Sequence, residues 1–306
     1  LMSLLRRRPR WTIVTSAPNT DGALQWGDTW FARDLAEALE SSGVQARVVT
    51  RGGGTHADRE RDDVVVVLRG LTRIVPRRPR RGGACWILWV ISHPELVTPE
   101  EMEQYDVVFA ASPTWGGGAA RPLLQATNPR RFRPDAGVPD SGADVLFVGS
   151  TRGQFRPAVR AAVAAGVPIQ VHGVGWPEYL PPERIAGEFL PNDRLPQAYA
   201  SAGVVLNDHW PQMAQEGFLS NRLFDAAATG TRVLSDEAVG LREVFGDVVV
   251  TWDSEDVLVA TLRAPREEVF ASREARRDLA DRIAREHSFD ARAAILREAA
   301  VRDAGA

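Results

Sequence analysis

Residues 202–236 read AGVVLNDHWPQMAQEGFLSNRLFDAAATGTRVLSD, and the fold is decided here. Val204-Val205-Leu206 is a short apolar run of the kind that forms a buried strand. The polar turn Asn207-Asp208-His209 follows it. Glu216-Gly217-Phe218 then leads into a helix expected from about Leu219 to Thr229, with Leu223, Phe224, Ala227 and Ala228 on one apolar face. Gly230 stands just past its end, where glycine commonly terminates a helix. Thr231 to Ser235 is the next strand. Ligands of such strand–helix–strand units bind outside the carboxyl ends of the strands. The loop before the helix, through Gly217 and Phe218, offers backbone N–H groups suited to an anion such as a diphosphate, and Ser220, Asn221 and Arg222 in the first turn of the helix are further donor-site candidates. Asp225, one to two turns into the helix, is a two-oxygen acceptor for sugar or ribose hydroxyls.

SNRLFDAAATG followed by TRVLSD resembles the donor-binding segment of GT-B glycosyltransferases, closest to the CgeB-like branch related to glycosyltransferase family 4. That family carries two acidic residues eight positions apart, the second followed by Ala and, five positions on, by Gly. Asp225-Ala226 and Gly230 match the second half. Glu216 lies nine positions before Asp225, and Asp225 stands where the family has Glu. The resemblance implies a nucleotide-sugar donor of UDP or GDP type, retention of configuration, and no metal or other cofactor.

The chain has 306 residues, enough for two domains. Hydrophobic residues make up 44%, ordinary for a globular protein with sizeable cores. The net charge of −3 gives no global attraction to nucleic acid. There is no lysine; all 37 Lys-or-Arg residues are arginine. The single Cys85 excludes an internal disulfide and fits a reducing compartment. The longest apolar run, Cys85 to Ile91, is too short to span a membrane. Leu1 to Trp11 places its charge after its few apolar residues, the reverse of a signal peptide. A cytoplasmic location is expected. The histidines at 56, 93, 172, 209 and 287 show no metal-ligand spacing.

In the first half, Trp11–Thr15 reads as a strand, Thr29–Ser42 as a helix and Val44–Thr50 as a second strand. That is one β–α–β unit of a parallel sheet. Asp63–Leu68, Trp86–Ser92 and Val107–Ala111 are further buried strands. Trp26, Gly27 and Asp28 fall at the carboxyl end of the first strand. Gly27 allows close approach of a ligand there, Asp28 is a candidate catalytic group, and Asp28 or Thr29 is equally a candidate helix N-cap. His93 follows the Trp86–Ser92 strand and is either a cleft-facing base or a histidine bonded to local backbone. Trp115 is either an acceptor platform or a packing residue. Arg69, Arg73, Arg77, Arg78, Arg80 and Arg81 form a proline-broken basic loop, read either as an anion site or as a solvated surface.

The second half begins at Asp144–Ser150. By the resemblance, Arg152 and then Arg156, beside Gly149 and Ser150, grip the donor diphosphate, a role suited to the guanidinium fork. Trp176 either stacks on the nucleotide base or caps the core. Asn207, Asp208 and His209 enter the donor site, and Glu216 is a candidate catalytic carboxylate.

The expected fold is α/β, of GT-B architecture, with two Rossmann-like doubly wound domains facing a central cleft. Residues 1–140 form the acceptor domain, 141–290 the donor domain, and 291–306 a terminal helix returning to the first domain. The expected function is metal-independent sugar transfer to an acceptor the sequence does not identify. The alternatives are a non-catalytic sugar-nucleotide-binding or spore-coat-type protein keeping the fold, and a glycosyltransferase acting on a nucleic-acid base. A Rossmann oxidoreductase is disfavoured because G-x-G-x-x-G is missing after the first strand.

Overall fold

The computed structural model describes residues 7–52, 62–76 and 83–303. The chain forms two compact units, Leu1–Leu124 with Phe289–Ala306, and Gln125–Ser288. Each is built on its own six-stranded parallel sheet.

The first sheet contains β1 (Arg10–Val14), β2 (Gln45–Val49), β3 (Val64–Arg69), β4 (Cys85–Val90), β5 (Val107–Ala110) and β6 (Arg121–Pro122). Their order is β2-β1-β3-β4-β5-β6. The runs VVVVLR and CWILWV are buried at every position. They show no alternation because a parallel sheet is covered on both faces. Helix α1 (Gly27–Ser41) buries Phe31, Ala32, Leu35, Ala38 and Leu39, a stripe at helical spacing. The short helix α2 (Pro99–Met102) follows β4.

The second sheet contains β7 (Val145–Val148), β8 (Ile169–His172), β9 (Ile185–Gly187), β10 (Val204–Asn207), β11 (Val233–Asp236) and β12 (Val250–Trp252). Their order is β12-β11-β10-β7-β8-β9. Counted from β7, that is the doubly wound order 6-5-4-1-2-3, which reverses between β7 and β10, where a crevice opens at the carboxyl ends. The helices are α3 (Pro157–Ala164), α4 (Leu195–Ser201), α5 (Pro211–Gln215), α6 (Asn221–Ala228), α7 (Leu241–Phe245), α8 (Glu255–Arg263), α9 (Arg266–Val269) and α10 (Arg273–Glu286). Phe147, Val159, Ile169, Trp176, Leu206, Leu234 and Leu258 share one core.

The segment Gln125–Asp140, expected in the first domain, lies inside the second unit. Phe132 is buried and packs on Tyr199 at 6.2 Å. The chain enters and leaves this unit at adjacent points, because Thr127 bridges Ser288 in parallel. The last helix, α11 (Phe289–Asp303), belongs to the first unit. Its Phe289 meets Phe31 edge-on at 4.7 Å, and Arg292 Nε donates to Leu124 O at 2.7 Å. The helices α9 and α10 are separated by a break at Phe270-Ala271, with Ser272 capping the second. No described helix is long and apolar enough to cross a membrane.

Candidate functional site

The crevice of the second sheet is flanked by the loop after β7 (149–156) and the loop after β10 (208–220). Arg156 joins them. Its Nε donates to Asp208 Oδ2 at 3.0 Å, its Nη2 to Asp208 Oδ1, and its Nη1 to Ser150 O at 3.1 Å. Both side chains of the pair are 5% exposed. Arg156, expected at the diphosphate, and Asp208, expected in the donor site, are thus bonded to each other, and a guanidinium this buried bolts one loop to the other.

Arg152 is different. It is exposed, sits at φ 55° in the left-handed region, and holds its guanidinium 5.2 Å from the Trp210 ring. A non-glycine residue at positive φ is uncommon, and this one aims a cation at the rim of the crevice.

The shape of the Gly149–Arg152 turn is imposed by its neighbour. Gly149 N donates to His172 O (2.7 Å), Thr151 N to Val174 O (3.0 Å) and Val174 N to Ser150 Oγ (3.1 Å). A Cβ on Gly173 would lie 2.3 Å from Gly149 O, and one on Gly175 2.3 Å from Thr151 Oγ1. Only glycine permits that approach, and both residues have positive φ. Trp176 closes the back of the turn. It is fully buried, meets Phe147 edge-on at 5.7 Å and donates Nε1–H to Gly149 O at 2.9 Å. It therefore caps the core and presents no face to a base. Burial lowers the pKa of His172 below its ordinary 6.5.

The loop after β10 is held by His209. Its side chain is fully buried, with Nδ1 2.6 Å from Asp236 Oδ1. Its Nε2 accepts the Ser220 backbone N–H at 2.9 Å. An acceptor Nε2 requires that Nδ1 carry the proton, so the ring donates to Asp236. His209 thus fixes the start of α6 to the end of β11. Four backbone N–H groups ahead of the helix are already used: Gly217 on Ala214 O, Phe218 on Met213 O, Leu219 on Gly217 O and Ser220 on His209. The Phe218 ring is buried in the core. The helix start still directs the N–H groups of Asn221 and Arg222, first-turn positions with no acceptor inside the helix.

Arg222 lies between the two loops. Nη1 donates to Asn207 Oδ1 at 2.7 Å and Nη2 to Val148 O, with the guanidinium against the bare face of Gly149. Asn207 Nδ2 continues the chain to Ser235 Oγ at 2.9 Å. Asp225 is buried and accepts from Thr127 Oγ1 at 2.7 Å and Asn221 Nδ2 at 2.9 Å. Tyr199 is buried nearby. Burial, helped by Asp225 and opposed by Arg222, pushes its pKa up. Glu216 is exposed at the carboxyl end of α5. Among the described residues, no three His, Cys, Asp or Glu side chains converge as metal ligands. The partners Thr127 and Tyr199 carry no motif of their own in the sequence. Only α6, once placed, brings them in beside Asp225.

In the first unit, Gly70 marks where side chains converge at the ends of β1, β3 and β4. A Cβ there would lie 3.1 Å from Asp28 Oδ2, 3.2 Å from Ser16 Oγ and 3.4 Å from Ser92 Oγ. His93, at φ 54°, holds Nδ1 3.0 Å from Glu95 Oε1, which orients the ring through its carboxylate partner. The N-cap of α1 is Trp26, not Asp28 or Thr29. Thr29 Oγ1 instead donates to Ala23 O at 2.6 Å. Gly27 is exposed in the first turn, and Trp115 is half-buried with its N–H on Ser112 Oγ. Arg69 is no part of a basic surface. It is buried, its Nε 2.7 Å from Glu101 Oε1. Arg73 is exposed, while Arg77, Arg78, Arg80, Arg81 and His56 lie outside the described residues.

Residues 152–298 match a family model described as glycosyl transferase-like. A search of curated proteins finds no match. Among solved structures, the chain is similar to AviGT4, a glycosyltransferase involved in avilamycin A biosynthesis. The identity is 20%, the TM-score 0.68, and 97% of this chain and 99% of that one are covered. It is also similar to HepE of Anabaena, solved with UDP and glucose, at 11% identity and TM-score 0.63 over 94% and 98% of the chains. BGT of phage T4, solved with UDP and Mn2+, matches at 11% identity and TM-score 0.61 over 95% and 99%. At these identities the likeness defines the fold, which is that of the GT-B glycosyltransferases. Residues 152–298 are thus similar to the glycosyl transferase-like family.

Proposed function

We propose that the protein transfers a sugar from a nucleoside diphosphate sugar, of UDP or GDP type, to an acceptor bound by the first unit. The observation that carries this reading is the second sheet's reversal point. Two loops are pinned there by Arg156–Asp208 and His209–Asp236, and between them stand Arg222, the exposed Arg152 and the first N–H groups of α6. That is a preorganised field for the charge that develops on a departing diphosphate. Arginine forks match phosphate oxygens, so the leaving group is stabilised without a metal ion. The sugar passes through an oxocarbenium-like state, with retention of configuration. Asp225, Asn207 and Ser220 shape the donor pocket through the network behind it. On the acceptor side, Trp26, Gly27 and Trp115 flank the site. Asp28 and the His93–Glu95 pair are the groups available for proton transfer, with Glu216 the candidate carboxylate on the donor side. The Asp225-Ala226…Gly230 spacing supports the CgeB-like branch.

Titration calorimetry across UDP-, GDP-, ADP- and TDP-sugars in chelator, paired with a donor hydrolysis assay, tests this reading. Binding and turnover in chelator are expected. Binding without turnover would support the non-catalytic alternative, and strict dependence on magnesium or manganese would overturn the metal-independent mechanism.

A further inference from the structure

The amino ends of the same sheet hold a second feature. A cavity of about 430 Å3 is lined by Pro134, Pro139, Phe270 and five arginines, Arg232, Arg266, Arg273, Arg276 and Arg277. Its residues at Thr229–Arg232 lead into β11 and those at Ala200–Ala202 into β10. It therefore lies at the opposite strand ends from the crevice. Two carboxylates, Asp140 and Glu267, also line it. Three of the arginines are held by the protein. Arg232 Nη1 donates to Asp140 Oδ1 at 2.8 Å. Arg266 Nη2 reaches Asp144 at 3.2 Å. Arg276 Nε donates to Gly230 O at 2.9 Å and its Nη1 to Ala271 O at 2.6 Å. Arg273 and Arg277 are exposed and have no carboxylate partner among the described residues. Burial, together with the nearby charges of Arg232 and Arg273, lowers the pKa of Arg276.

A fold gains nothing by collecting like charges around a hollow, since each raises the cost of the others. The arrangement is favourable when an anion fills it, because guanidinium groups bind phosphate oxygens in pairs of hydrogen bonds. Ser272 and Arg273, in the lining, open the 14-residue α10, where the N–H groups of Arg273 and Glu274 have no acceptor inside the helix. The volume falls in the range of small-molecule pockets. The proline and phenylalanine wall suits an apolar or ring-bearing portion. We propose that this cavity binds a phosphorylated small molecule, at a site separate from the donor crevice.

Inorganic pyrophosphate, titrated calorimetrically into the intact protein, is the probe. Arg273→Gln/Arg277→Gln is expected to weaken one pyrophosphate site roughly tenfold or more, the scale of lost charge-assisted bonds. Arg152→Gly, in the crevice, should leave that site intact. Asp140→Asn removes a competing carboxylate from the wall and should tighten the same site. Asparagine also tolerates the φ of 57° at this position, so that variant carries the test if the glutamine pair fails to fold. Wild-type affinity and stoichiometry in the double variant would overturn the proposal. So would unchanged or weaker binding in Asp140→Asn, or no binding by the wild type at millimolar pyrophosphate.

Discussion

His209 Nδ1 lies 2.6 Å from Asp236 Oδ1, and the opposite ring nitrogen accepts the N–H of the residue that precedes α6. One imidazole therefore ties a strand end to a helix start. His209→Ala should leave Asp236 and the Ser220 N–H without it. A cost of about 1–3 kcal/mol is expected for buried groups stripped of a partner, read as a lower urea midpoint at unchanged slope. Donor affinity should fall with it, because the helix start is no longer fixed.

Arg156 and Asp208 should behave as a buried pair. Arg156→Ala strands a buried carboxylate and should cost about 3–5 kcal/mol. Arg156→Met with Asp208→Leu removes both charges and should recover most of that loss. Denaturant unfolding of the two variants decides it. A mild effect of the single change would mean that the pair is solvated.

Arg152→Gly removes an exposed guanidinium while suiting the backbone, since glycine adopts φ 55° without strain. Nucleoside diphosphate affinity should fall by about 1.5–3 kcal/mol, the worth of a charged hydrogen bond, with the melting temperature unchanged. Unchanged calorimetric affinity would place the phosphates elsewhere.

Asp225→Asn puts an amide where Thr127 and Asn221 both donate to a carboxylate. One of those donors would then face an N–H2 group. A loss of about 1–3 kcal/mol is expected, and melting and donor titration on the same variant read it. Loss of stability with donor affinity kept marks a structural carboxylate. Loss of both marks one that also reaches the sugar or ribose.

The strands were legible because parallel sheets bury continuous apolar runs, as VVVVLR and CWILWV do. The unit around α6 was legible because Gly230 ends it and its apolar face has helical spacing. What the sequence could not supply was partner choice. Arg156 and Arg152 look alike four residues apart, yet one is buried on Asp208, 52 positions away, and the other is exposed with its guanidinium over the Trp210 ring. Trp176 offered no sign that its indole N–H would find Gly149 O. The N–H groups before α6 seemed available until short local turns and His209 claimed four of them. The strands β6 and β9, of two and three residues, are too short to carry a periodic signal.

Gly173 and Gly175 press on the Gly149–Arg152 loop at Gly149 O and Thr151 Oγ1. That loop is thus a casting, and the turn after β8 is its mould. Enlarging either glycine by one methyl group would deform the surface offered to a ligand while leaving every ligand-facing side chain in place. Selection for what this crevice holds therefore falls partly on two residues that no ligand on its far side would meet.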